Sequence, residues 1–234
     1  AAELPRLDAE RWERAKARLG VTDAEVARWA ELAELVHLPV DPSLGVTPQD
    51  ASFLSKPEWP WDEVPPERYP LLLHYHYLDI YRHQVLKQAD TLLAHTLLPE
   101  DVPRWQLRRD VAYYAPRTTH DSSLSACTHA VAYAELGDVE TAARFFDATA
   151  RVDLDDTHGN ADHGVHVAAM GGTYLGLLDG FAGYRVQGGR MSFRPRLPRR
   201  WRRLAFRLNW RGSRVRVDVR RDVTRYELLS GRPV

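Results

Sequence analysis

The sequence predicts a mainly α-helical chain closed by a small antiparallel β unit. Up to Gly183 apolar residues recur at helical spacing, and beyond it the period switches to two. Residues 8 to 36 read as two helices. Asp8 caps the first, which ends near Gly20, and Thr22 with Glu25 forms a capping-box signature for the second. Val26, Trp29, Ala30, Ala33 and Val36 then follow the helical period until Pro39 and Pro42 stop it. Residues 39 to 70 are rich in Pro, Trp and turn formers, too long for an ordinary connector, and predict a segment that wraps a surface or serves function. A helical stretch is expected over 71 to 98, carrying Tyr75, Ile80, Val85, Leu86, Ala89, Leu92 and Leu93 and ending before Pro99. Further helices fit 103 to 113, 122 to 136, 138 to 150 and about 162 to 181. Beyond them Leu204, Phe206, Leu208 and Trp210 alternate with other residues. Gly212-Ser213 makes a turn, Val215, Val217 and Val219 alternate with Arg and Asp, and a third run surrounds Tyr226-Glu227-Leu228. The expected division is therefore 1–182, helical, and 183–234, β.

Composition excludes several classes. At 234 residues, 44% hydrophobic and 27% charged, the chain has the make-up of an ordinary soluble globular protein with one sizeable core. No apolar run approaches the ~20 residues that span a bilayer. The first residues, Ala1-Ala2-Glu3-Leu4-Pro5, show no secretory signal, and the lone Cys127, which reads as a buried spacer, rules out an intrachain disulfide. Both observations fit a cytoplasmic location. Net charge is zero, yet residues 185 to 234 hold 16 Arg against Asp218, Asp222 and Glu227, a net of +13, so the preceding stretch carries −13. Because these Arg alternate with apolar residues, they read as the wet face of a sheet and not as a nucleic-acid surface. Neither a nucleic-acid nor a membrane partner is expected.

Arg117-Thr118-Thr119-His120-Asp121-Ser122-Ser123-Leu124-Ser125 packs a cation, a histidine, a carboxylate and five hydroxyls into one stretch directly after the helix-breaking Pro116. Short, rigid hydrogen-bonding groups of this kind can surround an anion or a sugar, although hydroxyl-rich loops also serve as plain turns and caps. Ser122 and Ser123 fall at an expected helix start, where free N–H groups favour anions. His166 follows Gly164 and precedes Gly171-Gly172, and glycines allow close backbone approach to an anion. A metal reading of Asp153, Asp155 and Asp156 lacks the glycine and terminal Glu of a calcium loop, so no metal is expected.

The collinear order of Lys87-Gln88-Ala89-Asp90, Thr118 to Ser125, Leu154-Asp155-Asp156, Gly159-Asn160, Gly164-Val165-His166 and Met170-Gly171-Gly172-Thr173 resembles the C-terminal third of family 65 glycoside hydrolases. These are the maltose, trehalose and kojibiose phosphorylases and their hydrolytic relatives. Pro48-Gln49-Asp50, Tyr69-Pro70-Leu71-Leu72-Leu73-His74 and Phe193-Arg194-Pro195-Arg196-Leu197-Pro198 extend the resemblance over nearly the whole chain. It implies the second half of an (α/α)6 barrel followed by a C-terminal β domain, in an inverting disaccharide phosphorylase that cleaves an α-glucoside. It implies no cofactor, inorganic phosphate as co-substrate, and a homodimer of the complete protein.

The same resemblance implies roles. Lys87 and Gln88 would grip the glucosyl unit, while His166, Ser122 and Ser123 would hold phosphate. His120 and Asp121 would support them, and Asp155, Asp156 and Asn160 would shape a loop. Departures are Asp162-His163 where adjacent acidic residues are the pattern, and Ala169 and Tyr174 where Ser and Trp are commoner. The family's general acid lies in a Gly-x-Asp-Glu-Tyr motif that does not occur here, and Trp61-Asp62 stands in the wrong order to serve as the family's substrate-binding pair. The expectation is a catalytic portion whose acid comes from a missing N-terminal segment, inactive alone. A trehalase-like hydrolase and a non-catalytic carbohydrate-binding fragment are the alternatives.

Overall fold

The computed structural model describes residues 8–36, 38–99 and 101–233, and the chain divides into two compact units, 1–40 and 41–234. In the first unit, α1 spans Ala9–Leu19 and α2 spans Asp23–Leu35. The Arg11 amide donates to the Asp8 carboxylate at 2.9 Å, and Gly20 ends α1 in the left-handed conformation. Thr22 and Glu25 form the expected reciprocal box at 2.9 and 3.2 Å. Neither helix buries a residue within this unit, so the α2 apolar stripe stays largely uncovered, with Trp29 at 43% exposure.

The second unit opens with an irregular run to residue 70, interrupted by three short 3-10 turns at Phe53–Ser55, Trp61–Glu63 and Pro66–Arg68. It is held from beneath. Phe53 and Val46 pack with Tyr114 and Leu86, and Trp59 packs with Leu71, Ile80 and Val85. Buried Asp110 accepts the Thr47 amide at 2.8 Å, pairs with the His95 ring at 2.5 Å, and takes the Gln106 side-chain amide at 3.1 Å. A buried carboxylate with this many donors is expensive to disturb, because removing one partner strands the rest.

The helical layer continues through α3 (Leu71–His74), α4 (Tyr77–Tyr81), α5 (Asp90–Leu97), α6 (Arg104–Tyr114), α7 (Ser125–Leu136), α8 (Val139–Arg151) and α9 (Val167–Leu175). A π-turn over Gly176–Phe181 extends α9 and delivers Phe181, fully buried, against Phe146 and Trp201. The continuous helix expected over 71 to 98 is not formed. It breaks into α3, α4 and α5, with an irregular stretch of turns and bends over residues 82–89 between the last two. Ile80, Val85, Leu86, Ala89 and Leu92 are nonetheless buried. Burial was readable from the pattern, whereas the backbone follows tertiary partners that outbid helical propensity.

Strands β1 (Arg185–Gln187) and β2 (Arg190–Ser192) make a hairpin, and β3 (Arg203–Trp210), β4 (Ser213–Arg220) and β5 (Thr224–Ser230) form an antiparallel sheet in chain order. The turn joining β3 to β4 is Arg211-Gly212, both at positive φ, one residue earlier than the sequence suggests. Val215, Val217 and Val219 point into a core with Phe193, Leu197, Leu204, Phe206 and Leu208, while the alternate Arg214 and Arg220 are exposed. The architecture is the predicted one: mainly helical, with a small antiparallel sheet at the C-terminal end.

Three glycines one helical turn apart set the packing of α9. A Cβ at Gly172 would lie 2.6 Å from the Cys127 Cβ, one at Gly176 3.0 Å from Phe146, and one at Gly180 3.6 Å from Val131. The neighbouring Gly171 faces open space. Gly172→Ala is therefore expected to cost about 1–3 kcal/mol through overpacking, whereas Gly171→Ala should be neutral or up to about 1 kcal/mol stabilising as a helix-interior replacement. Calorimetric melting of the two variants side by side checks this; equal melting points would remove the close-packed seam.

Candidate functional site

The stretch 82–89 is held in its irregular path by partners on both sides. The Gln84 amide donates to the Pro57 carbonyl at 2.9 Å, its side chain donates to the Lys56 carbonyl at 2.7 Å, and it accepts from the Tyr113 hydroxyl. Leu86 then bridges Thr118 in parallel: its amide donates to the Arg117 carbonyl and its carbonyl accepts the Thr119 amide, both at 2.8 Å. This lays Lys87 and Gln88 alongside the hydroxyl-rich loop. The Ser122 hydroxyl donates to the Gln88 side-chain carbonyl at 2.9 Å, and the Gln88 amide donates to Asp90 at 3.2 Å. Asp90 also accepts from Gln49 at 3.3 Å. Lys87 is exposed, and its ammonium has no partner among the described residues. An open cleft lined by Gln49, Asp50, Lys56, Tyr81, Lys87 and Gln88 lies against it.

Within the loop, α7 begins at Ser125, not at 122, so Ser122 and Ser123 form the turn that leads into the helix. The Ser122 carbonyl accepts the Ser125 amide at 3.0 Å and its hydroxyl accepts the Leu124 amide at 3.3 Å. His120 takes a left-handed φ of 58°, unusual for a histidine, and turns its ring inward. The ring meets the Ser125 hydroxyl at 2.8 Å, His129 at 4.6 Å between centroids, and Phe145 at 5.1 Å. Burial lowers the His120 pKa below the usual histidine value. Burial raises the Asp121 carboxyl, against the pull of the Thr119 hydroxyl, the Leu71 and Leu72 amides and Lys87.

His166 occupies the N-cap position of α9, without a side-chain capping bond, after Gly164, whose φ of 119° a side chain would resist. Asp153 grips it twice, accepting the His166 amide at 3.0 Å and the ring Nδ1 at 2.5 Å. That side-chain hydrogen bond holds the Asp153 carboxyl below the usual carboxylate range. With Nδ1 committed, the ring presents Nε2, which has the Asn160 amide 3.5 Å away. Asp156 fixes the approach by accepting the Asn160 and Ala161 amides at 2.8 and 2.9 Å, while Asp155 pairs with Arg151.

Of the sequence-predicted residues, Gln88 and Ser122 are brought into direct contact, with Lys87 and Ser123 adjoining them in the chain. His166 makes no hydrogen bond to either serine among the described residues. Its position relative to them follows from the glycine seam. Gly172 meets Cys127 in the first turn of α7 and Gly180 meets Val131 and Ala134 further along, whereas Gly172 meets Thr149 and Gly176 meets Phe146 on α8. Helix α9 thus runs parallel to α7 and antiparallel to α8, which puts His166 at the end of the layer that carries the hydroxyl loop. Sequence reasoning missed Asp153 as the residue orienting His166, because it was grouped with Asp155 and Asp156 as a failed metal loop. Among the described residues no group of three or more metal-binding side chains is assembled.

Comparison with known proteins then identifies the chain. Residues 4–175 match the central catalytic domain of glycosyl hydrolase family 65, and residues 184–234 match the C-terminal domain of the same family. The chain belongs to this family. It is 45% identical to the α,α-trehalose phosphorylase of Geobacillus stearothermophilus, over 92% of this chain and 28% of that protein. With the maltose phosphorylase of Bacillus subtilis identity is 33%, over 92% of this chain and 28% of the relative. A solved structure of a putative kojibiose phosphorylase from the human microbiome superposes with a TM-score of 0.79 at 25% identity, covering 92% of this chain and 29% of that one. The chain spans under a third of the length of each of these relatives.

His129, fully buried beneath the loop, generates a pH prediction. Burial, helped by neighbouring His120, pushes it down to about 4, against the Ser125 carbonyl that raises it. A histidine lowered on folding adds no penalty above its unfolded value near 6.5, and costs stability progressively as pH falls from there toward 4. The expected loss across that window is up to about 3 kcal/mol. Denaturant unfolding at stepped pH, for the parent and for His129→Leu, measures it: the difference between the two should change with pH over that window and be flat above it. A pH-independent difference would sink this reading of His129.

Proposed function

We propose that this chain is the C-terminal portion of an inverting disaccharide phosphorylase that cleaves an α-glucoside with inorganic phosphate. Residues 1–182 would supply part of the (α/α)6 barrel and 183–234 its β cap, with the complete protein a cytoplasmic homodimer. In this reaction a phosphate oxygen forms a bond to the anomeric carbon as the glycosidic bond on the opposite face breaks, and an acid protonates the departing oxygen. The acid is assigned to a part of the enzyme outside this chain. Lys87 and Gln88 hold the glucosyl hydroxyls. His166, Ser122 and Ser123 hold phosphate, with His120 positioning Ser125 and Asp121 supporting the loop. No cofactor takes part.

The observation that carries this reading is the two-point grip of Asp153 on His166. A hydrolase needs a carboxylate base on the water side. Here the carboxylate is committed to the His166 amide and ring Nδ1, which leaves Nε2 to face a ligand. The Ser122–Gln88 hydrogen bond supports the reading, since a phosphate held by Ser122 and a glucosyl unit held by Gln88 would then be neighbours, as attack at the anomeric carbon requires. Identity is higher with the trehalose phosphorylase than with the maltose phosphorylase, so trehalose is the first disaccharide to test.

In the full-length protein, His166→Ala should raise the phosphate KM by about ten-fold to a hundred-fold while sparing disaccharide binding, the loss typical of a charge-assisted hydrogen bond. Gln88→Ala should lower kcat/KM for disaccharide with the phosphate KM nearly unchanged. The decisive assay is release of glucose 1-phosphate against free glucose, with and without phosphate. A parent enzyme that releases only free glucose, indifferent to phosphate, would establish the hydrolase instead. The 234-residue chain alone should show no turnover, since general acid help is typically worth ~10²–10⁴-fold.

A further inference from the structure

At the opposite end of α7 from the hydroxyl loop lies a cleft of about 340 Å³ that this function leaves unused. Ser125 and Glu135 are about 15 Å apart along the helix at its usual rise. The cleft opens where the end of α5 and the start of α6 meet the β1–β2 hairpin, with Phe193 as an apolar wall. Its charge is one-sided. Arg185 and Arg194 share Glu135 at 3.1 and 3.5 Å, and Arg104 and Arg196 donate to the last carbonyls of α7 at 2.7 to 2.8 Å. Asp179 faces Arg185 from the helical side, where burial raises its carboxyl above the usual range. Burial also lowers Arg196 below the ordinary arginine value; Glu135 opposes this, and like-charged Arg104 and Arg194 add to it. Arg194 keeps 66% of its side chain exposed, and among the described residues its guanidinium has only the long contact to Glu135. The Ser192 hydroxyl and Gln187 side-chain amide on the hairpin are unpaired among the described residues.

We infer that this cleft binds a small organic phosphate, a hexose monophosphate in class, with the phosphate on Arg194 and Arg104 and the hydroxylated body against Ser192 and Gln187. Two arguments select that class. Guanidinium groups in excess over carboxylate favour a dianion they can grasp in pairs. A volume at the lower end of the small-molecule range is larger than a bare oxoanion fills and small for a nucleotide. The inference is independent of the phosphorolytic reading, since it uses none of that site's residues.

Calorimetric titration of the full-length protein with glucose 6-phosphate tests it. Saturable binding at millimolar concentration or below is expected, weakened about ten-fold or more by Arg194→Ala and less by Ser192→Ala, and unchanged by His166→Ala. An equal concentration of inorganic phosphate should not displace it. The proposal is overturned by no saturable binding, by loss in His166→Ala with none in Arg194→Ala, or by equal competition from inorganic phosphate.

Discussion

The parallel bridge between Leu86 and Thr118 is the contact on which the candidate site depends. Two backbone hydrogen bonds of 2.8 Å hold residues that the sequence separates by some thirty positions. Without that bridge the stretch after α4 would be free to continue as helix, Lys87 would be an ordinary surface cation, and Gln88 would have no reason to meet Ser122. Backbone pairing suits this task. It fixes register without relying on side-chain identity, so the side chains on either strand remain available for a ligand.

That bridge is in turn supported from outside. The wrapping segment before α3 grips Gln84 through the Pro57 and Lys56 carbonyls, and the segment is itself pinned by Thr47 on buried Asp110. The His95–Asp110–Gln106 network makes none of the candidate site's hydrogen bonds itself, yet it anchors the segment that braces residues 82–89. Buried polar networks of this kind are all-or-none, because a half-satisfied one costs more than an apolar core. The long connector therefore acts as a brace.

Helix content, the capping of α1 and α2, and the switch to β structure were legible because they rest on local chemistry: Asp8, Thr22 with Glu25, and the alternation of Val215, Val217 and Val219. The breaks around residues 82–89 were not legible. Their cause is an isolated backbone bridge to Thr118 and a glutamine captured by distant carbonyls, neither of which leaves a periodic signal. The site residues stood out by type and by family resemblance, but their connections did not. Asp153 lies thirteen residues from His166 with no spacing rule linking the two, and His120 gave no sign that it would face inward at a left-handed φ. Gly188-Gly189 between β1 and β2 was a turn signal available in the sequence and passed over.

The glycine seam determines how the two parts of the site relate. Gly172 leaves no slack against Cys127, so α9 cannot rotate or slide on α7 without a clash, and His166 is held in register with the hydroxyl loop through that contact. Its final placement still depends on a long loop, which Asp153 and Asp156 tie down at four amide or ring nitrogens. A rigid helix pair thus sets the coarse distance and short carboxylate grips set the fine orientation. Two carboxylates beside the candidate residues shift in opposite directions: burial raises Asp121, and the histidine hydrogen bond lowers Asp153. The lowered carboxylate stays charged where it accepts the His166 amide and ring Nδ1. The raised one, close to Lys87, keeps its charge less readily because burial outweighs the donors around it.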